Sequence, residues 1–176
     1  MYDVVLLIER NLTLLDAEQV TGLHHDIDDS VTYHVLLPME ELSGRLHTSM
    51  GSMLDPGGPG ASAPVDPEMV QRVNEDARAQ VEAGLARSVA LLTSTGHEVH
   101  GTLVTDDPID ALTRHVTEVG AAEAIVLTEP HTVAEFFHLD WTSRARRQLD
   151  VPVLHLLEHE TFEEQGRGGG EGSSGL

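Results

Sequence analysis

The stretch AEAIVLTEPHTVAEFFHLDWTSRARRQLDVPVLHLL, residues 122–157, decides the fold. Its apolar run from Ala124 to Leu127 is typical of a strand buried on both faces of a parallel sheet. A second strand is predicted from Val151 to Leu157, and Pro152 near its start places that strand at the border of the sheet, because proline donates no ladder hydrogen bond. The residues between the two strands predict a helix that begins near Asp140, which makes the stretch a strand–helix–strand unit.

The remainder of the chain continues this alternation. Strands are predicted at residues 4–8, 31–37 and 97–104. Helices are predicted from about residue 13 to 24, from 67 to Gly96 and from 108 to Gly120, the last two opening on Asp-Pro pairs that cap and begin a helix. Strands that alternate with helices predict an α/β fold, a doubly wound parallel sheet with right-handed crossovers.

Two segments lie outside this pattern. Residues 38–65 hold four of the eight prolines and predict a long irregular loop. Residues 158–176 end in QGRGGGEGSSGL, a composition that predicts a disordered acidic, glycine-rich tail. The chain of 176 residues is therefore interpreted as one domain, residues 1–157, followed by the tail.

Composition excludes several classes of partner and of chemistry. Ten basic and thirty acidic residues give a net charge of −20, which repels nucleic acid and anionic membrane surfaces. All basic residues are arginine, and the chain has no lysine and no cysteine, so Schiff-base, thiol and thiolate–metal chemistry are excluded. The first strand is too short and too acidic at its flanks for a signal peptide, and a cytoplasmic protein is expected.

Residues 2–157 resemble the universal stress protein family. The resemblance is strongest in AEAIVLTEP and RARRQLDVPVLHLL, which are similar to that family's fourth strand, last helix and fifth strand. It implies a flavodoxin-like five-stranded sheet of order 3-2-1-4-5 with helices on both faces. It also implies a stress-related role and a homodimer formed through the fifth strand, here Val151–Leu157.

The glycine signature of the family's nucleotide-binding members is missing. Its glycines let the backbone approach phosphates, and the matching positions fall near Glu129, Thr132 and Leu139-Asp140. No glycine occurs from Ala121 to Gln165, so a shifted alignment does not restore the signature. Carboxylates at two of these positions oppose phosphate. No ATP site and no cofactor are therefore expected.

The turn after the first strand also lacks the residues with which the family binds nucleotide. The family's Asp-Gly-Ser-like turn contacts the nucleotide base and is replaced here by Glu9-Arg10-Asn11. Ligands of open α/β sheets bind beyond the carboxyl ends of the strands at the switch point, here between the first and fourth strands. The candidate residues of this crevice are Glu9, Arg10, Asn11, Thr128, Glu129, His131, Thr132 and Asp140.

Two interpretations of the crevice remain open. Its charged groups and imidazole suit a small polar ligand or acid–base work. Alternatively, Arg10 pairs with Glu129 across the crevice, while Asn11 and Thr132 cap helices. We expect a non-enzymatic protein that acts through dimerisation and through binding a partner or a small ligand; the alternatives are an enzyme and a nucleotide-binding regulator that use this crevice.

Three further clusters have two interpretations each. Two imidazoles and three carboxylates lie close together in the segment His24-His25-Asp26-x-Asp28-Asp29, a pattern that suggests a divalent metal site. The preferred interpretation is a solvated surface turn, and no metal is expected. The arginines at 144, 146 and 147 either attract an anion or neutralise acidic neighbours. The aromatic residues Phe136, Phe137 and Trp141 either fill the core or form a binding patch, and core filling is preferred.

Overall fold

The computed structural model describes residues 1–39, 67–128 and 137–157. Side chains are described for these residues except at positions 67, 69, 70, 73 and 137–140. The predicted loop, apart from its first two residues, and the predicted tail lie outside the described residues.

Five strands and four helices alternate in the described ranges. In chain order they are β1 Tyr2–Ile8, α1 Leu14–Gly22, β2 Val31–Pro38, α2 Pro67–Ser94, β3 Glu98–Val104, α3 Pro108–Val119, β4 Glu123–Thr128, α4 Phe137–Gln148 and β5 Val153–Leu157. The predicted elements are all present, with ends that move by a few residues. Two shifts are corrections: Pro38 ends β2, paired with Val104, instead of starting the loop, and α4 begins before Asp140.

The strands form one parallel sheet of order β3-β2-β1-β4-β5. The flavodoxin-like prediction is therefore confirmed, as is the position of β5 at one edge. The chain turns to one side of β1 for β2 and β3 and to the other side for β4 and β5. This reversal puts the switch point between the carboxyl ends of β1 and β4.

Each face of the sheet buries its own core. Val4, Leu6 and Ile8 of β1 face the cluster that α1 and α2 cover, whereas Val5 and Leu7 face the cluster that α3 and α4 cover. The alternation follows from the two-residue period of a strand. Because both faces of β1 are covered, its sequence is an unbroken apolar run.

Local signals fix the helix ends. Thr13 and Asp16 form a capping box at the start of α1, in which each side chain accepts a hydrogen bond from the other residue's backbone N–H. Asp107 caps α3 through the N–H groups of Ile109 and Asp110, and Gly120 ends that helix at a φ of 63°. These caps hold the loops at both ends of the sheet in place.

Candidate ligand crevice at the carboxyl ends of β1 and β4

Four of the candidate crevice residues lie at the adjacent carboxyl ends of β1 and β4. Glu9, Arg10 and Asn11 follow β1, and Thr128 is the last residue of β4. The two strand ends are joined by the N–H of Glu9, which donates to the carbonyl of Leu127 at 3.1 Å. Glu129, His131 and Thr132 lie outside the described residues, as does the side chain of Asp140, so the predicted Arg10–Glu129 pair stays a prediction.

Glu9 brings a carboxyl group into the switch point. Its side chain is fully buried, although it follows directly on the apolar residues of β1. Arg10, the next residue, is half-buried and cationic. The described residues at the switch point therefore include one acidic and one basic side chain.

Asn11 is packed against α2. A Cβ built on Gly84 lies 2.2 Å from Asn11 Oδ1 and 2.7 Å from its Cγ, so only glycine leaves room for this side chain. Asn11 Oδ1 is buried and accepts no hydrogen bond within the described structure. The prediction that Asn11 caps a helix is wrong: Thr13 is the N-cap of α1, and Asn11 fills the space beside Gly84.

The neighbouring hydrogen bonds hold the loop in this position. The N–H of Leu12 donates to Ser88 Oγ at 2.9 Å, and the Ser88 hydroxyl donates to the carbonyl of Gly84 at 3.1 Å. Leu12 itself is buried in the core between the sheet and α2. The turn after β1 is therefore fixed to α2 on the side of the sheet that α1 and α2 cover.

Thr128, at the end of β4, contacts a residue outside the predicted crevice set. By strand alternation its side chain lies on the same face as Ala124 and Val126, which α3 and α4 cover. Its hydroxyl lies 2.9 Å from Nε2 of His155, in β5. The structure thus pairs Thr128 with a histidine that the crevice prediction did not include. Burial and the nearby Arg146 guanidinium lower the pKa of His155.

Two solved structures show what this arrangement is similar to. The universal stress protein from Archaeoglobus fulgidus aligns with a TM-score of 0.52 at 13% identity, over 88% of this chain and 98% of its own. A universal stress family protein from Burkholderia pseudomallei aligns with a TM-score of 0.50 at 16% identity, over 88% of this chain and 96% of its own. The chain has the universal stress protein fold. No family model and no curated protein sequence matches it.

Within this universal stress protein fold, Trp141 belongs to the core. It is 6% exposed and packs, with Ala145 of α4 and Leu149 just after that helix, into the cluster on the α3 side of the sheet. The core interpretation of Trp141 is confirmed. Phe136 lies outside the described residues, as does the side chain of Phe137.

A second polar cluster occupies the opposite end of the universal stress protein fold, at the amino ends of the strands. The imidazole of His24 is buried and contacts the carboxylate of Glu123 through Nε2. Its Nδ1 lies 2.8 Å from the hydroxyl of Tyr33 and 3.0 Å from the carbonyl of Val20. Tyr2 stacks at an angle on the same ring.

This cluster corrects the prediction of a solvated turn for His24, although His25, Asp26, Asp28 and Asp29 are exposed as predicted. Helical spacing could have predicted the burial of His24, because this residue lies four positions after Val20, which is on the buried side of α1. Burial and the Glu123 carboxylate raise the pKa values of Tyr33 and Tyr2. In the described ranges, no group of three His, Asp or Glu side chains is arranged to hold a metal ion.

Within residues 1–39, 67–128 and 137–157, no helix is long and apolar enough to span a membrane.

Proposed function

We propose that this chain is a non-enzymatic, cytoplasmic regulatory protein with a universal stress protein fold, which acts through dimerisation and through binding a protein partner or a small polar ligand, without an ATP site. The observation that carries the proposal is the turn after β1. There Glu9 buries a carboxyl group at the switch point, and Asn11 fills the space beside Gly84.

The missing glycine signature supports the same proposal. In a nucleotide site, glycines and helix N-terminal amides approach the phosphates. The sequence has no glycine from Ala121 to Gln165, so the segment between β4 and β5 lacks the glycines that allow that approach. A ligand of the crevice is proposed to be small and polar, because the described switch-point residues Glu9 and Arg10 are both charged residue types.

Dimerisation is proposed through the free side of β5. One side of β5 pairs with β4, and no other described strand pairs with the opposite side. Val153, Leu154 and Leu157 are half-buried apolar residues on this edge, whereas the other edge strand, β3, exposes Glu98 and His100. An apolar edge strand is prone to pair with another chain, and a two-fold homodimer covers it.

The hydrogen-bond register shows how to test the dimer. Because the N–H of Ala124 bonds to the carbonyl of Pro152 at 2.9 Å, the backbone of Val153 faces away from β4. Val153→Pro removes an outward N–H and leaves the β4–β5 ladder intact. Val153→Ala is the matched control, since it shortens the same side chain but keeps the N–H.

Sedimentation velocity at micromolar concentration gives the assembly state of each protein. The proposal predicts a dimer for the natural protein and for Val153→Ala, and a monomer for Val153→Pro with an unchanged circular dichroism spectrum. A monomer in all three proteins contradicts the dimer. Mass spectrometry of small molecules released on denaturing the freshly purified protein tests the ligand class, and released adenine nucleotide contradicts the proposed crevice.

A further inference from the structure

A cationic side chain without a carboxylate partner lies beside β5. Arg144 of α4 is paired with Asp107 at 2.9 Å. Arg146, two residues further along α4, is exposed and contacts the carbonyl of Val153 at 3.4 Å through Nε, and no carboxylate in the described part of the chain pairs with it. In a protein of net charge −20, an arginine of this kind makes a local positive region.

His155 adds a second donor to this region. Its ring is half-buried on the face of β5 that α4 covers, and Nε2 lies 2.9 Å from the Thr128 hydroxyl. Thr128 is almost completely buried, so its hydroxyl faces the ring and not solvent. When that hydroxyl donates to Nε2, the neutral imidazole carries its proton on Nδ1, which is then a donor on the outer side of the ring.

We propose that Arg146 and His155 form a binding site for a small oxyanion, a phosphate or a carboxylate, on the α4 side of β5, with Thr128 as the positioning residue that holds the His155 ring through Nε2. The guanidinium offers paired N–H groups, whose geometry suits two oxygens of one anion. The site is separate from the crevice between β1 and β4, but it borders the β5 edge proposed for the dimer, because Arg146 contacts the outward-facing carbonyl of Val153.

Binding at this site is coupled to protonation of His155. Among the described residues, the charged group that acts on the ring is Arg146 from α4, and Thr128 from β4 is uncharged. Burial and Arg146 disfavour the imidazolium, and a bound oxyanion reverses the effect of Arg146. The anion therefore raises the pKa of His155, and by linkage it binds more tightly as the pH falls through the range in which His155 takes up its proton.

The test is an NMR titration of the histidine resonances with sodium phosphate, with sodium acetate and, at equal ionic strength, with sodium chloride. We expect phosphate, or acetate if carboxylates are preferred, to shift the His155 resonances saturably and to raise its pKa, whereas chloride does neither. Arg146→Gln should weaken binding about tenfold, as expected for a lost charge-assisted hydrogen bond. Arg87→Gln, which removes an exposed arginine on α2, makes the same change in net charge and should bind like the natural protein.

Two results overturn the proposal. One is an absence of saturable His155 shifts with either oxyanion. The other is an equal loss of oxyanion affinity in Arg146→Gln and Arg87→Gln, which would show that the effect comes from the net charge of the protein and not from a site at Arg146. Thr128→Val tests the positioning role: loss of the hydroxyl should change the nitrogen shifts of His155 and weaken oxyanion binding, and unchanged shifts with unchanged binding contradict that role. Sedimentation in the same buffers records the assembly state, so a failure of the proposed dimer is recognised separately.

Discussion

The backbone N–H of Leu12 donates to the hydroxyl of Ser88 across 2.9 Å, and these residues are 76 positions apart in the chain. This hydrogen bond joins the turn after β1 to the C-terminal half of α2. It holds the turn in the position in which Asn11 lies against Gly84. The position of this turn at the switch point therefore depends on a polar contact between a loop and a helix.

Ser88→Ala is expected to lower the free energy of unfolding by about 1–3 kcal/mol, because it leaves the buried N–H of Leu12 without an acceptor. Ser94→Ala, in the last turn of the same helix, removes an exposed hydroxyl that bonds only to the carbonyl of Leu91, and it should cost less than about 0.5 kcal/mol. Urea unfolding monitored by circular dichroism gives both values. Equal effects of the two substitutions contradict the role of Ser88.

Gly84→Ala is expected to destabilise the protein by about 1–3 kcal/mol through overpacking. Helix propensity alone predicts the opposite sign, since alanine is favoured over glycine by about 1 kcal/mol in a helix interior. The new Cβ would meet Asn11, so Asn11→Ala should restore most of the stability of the double variant. Gly22→Ala is the control, because nothing lies within 4 Å of its added Cβ. Additive effects at positions 84 and 11 would show that the contact does not limit the packing.

Trp141→Ala is expected to lower the free energy of unfolding by about 3–5 kcal/mol, since a buried aromatic side chain leaves a large cavity. The thermal midpoint measures this effect directly. An unchanged midpoint means that the indole is not part of the core between the sheet and α4.

Tyr33 is expected to resist ionisation in the folded protein. Burial and Glu123 raise its pKa, so the stability that depends on the neutral phenol is complete below pH about 10 and is lost as the pH rises above that value. Phenolate absorbance and circular dichroism, recorded together in an alkaline titration, should change together for one of the two tyrosines. Tyr33→Phe should remove that portion of the absorbance change. Reversible ionisation of both tyrosines in the folded protein contradicts the buried position of Tyr33.

The sequence predicted the elements whose signals are local. The apolar run at residues 4–8 is continuous because β1 is covered on both faces, and Asp107-Pro108 begins α3 because the cap lies next to the helix it stabilises. Pro152 correctly placed β5 at an edge, since a missing N–H is tolerated there.

The contacts that shape the sites were not predictable in the same way, because each joins residues distant in sequence. The imidazole of His24 contacts the carboxylate of Glu123, 99 positions away in the chain. The hydroxyl of Thr128 contacts the ring of His155, 27 positions away. Asn11 was predicted to cap a helix, because asparagine before a helix commonly does so. Its actual place is set by Gly84, and only the packing of α2 on β1 brings the two together.

The central claim, that the switch-point crevice is not an ATP site, is tested most directly by thermal unfolding with and without millimolar Mg-ATP, with a nucleotide-binding universal stress protein as a positive control. A ligand that binds the folded state raises the midpoint by mass action. The account predicts a shift below about 1 °C for this protein and a clear shift for the control. A shift above about 2 °C that saturates with Mg-ATP would contradict it.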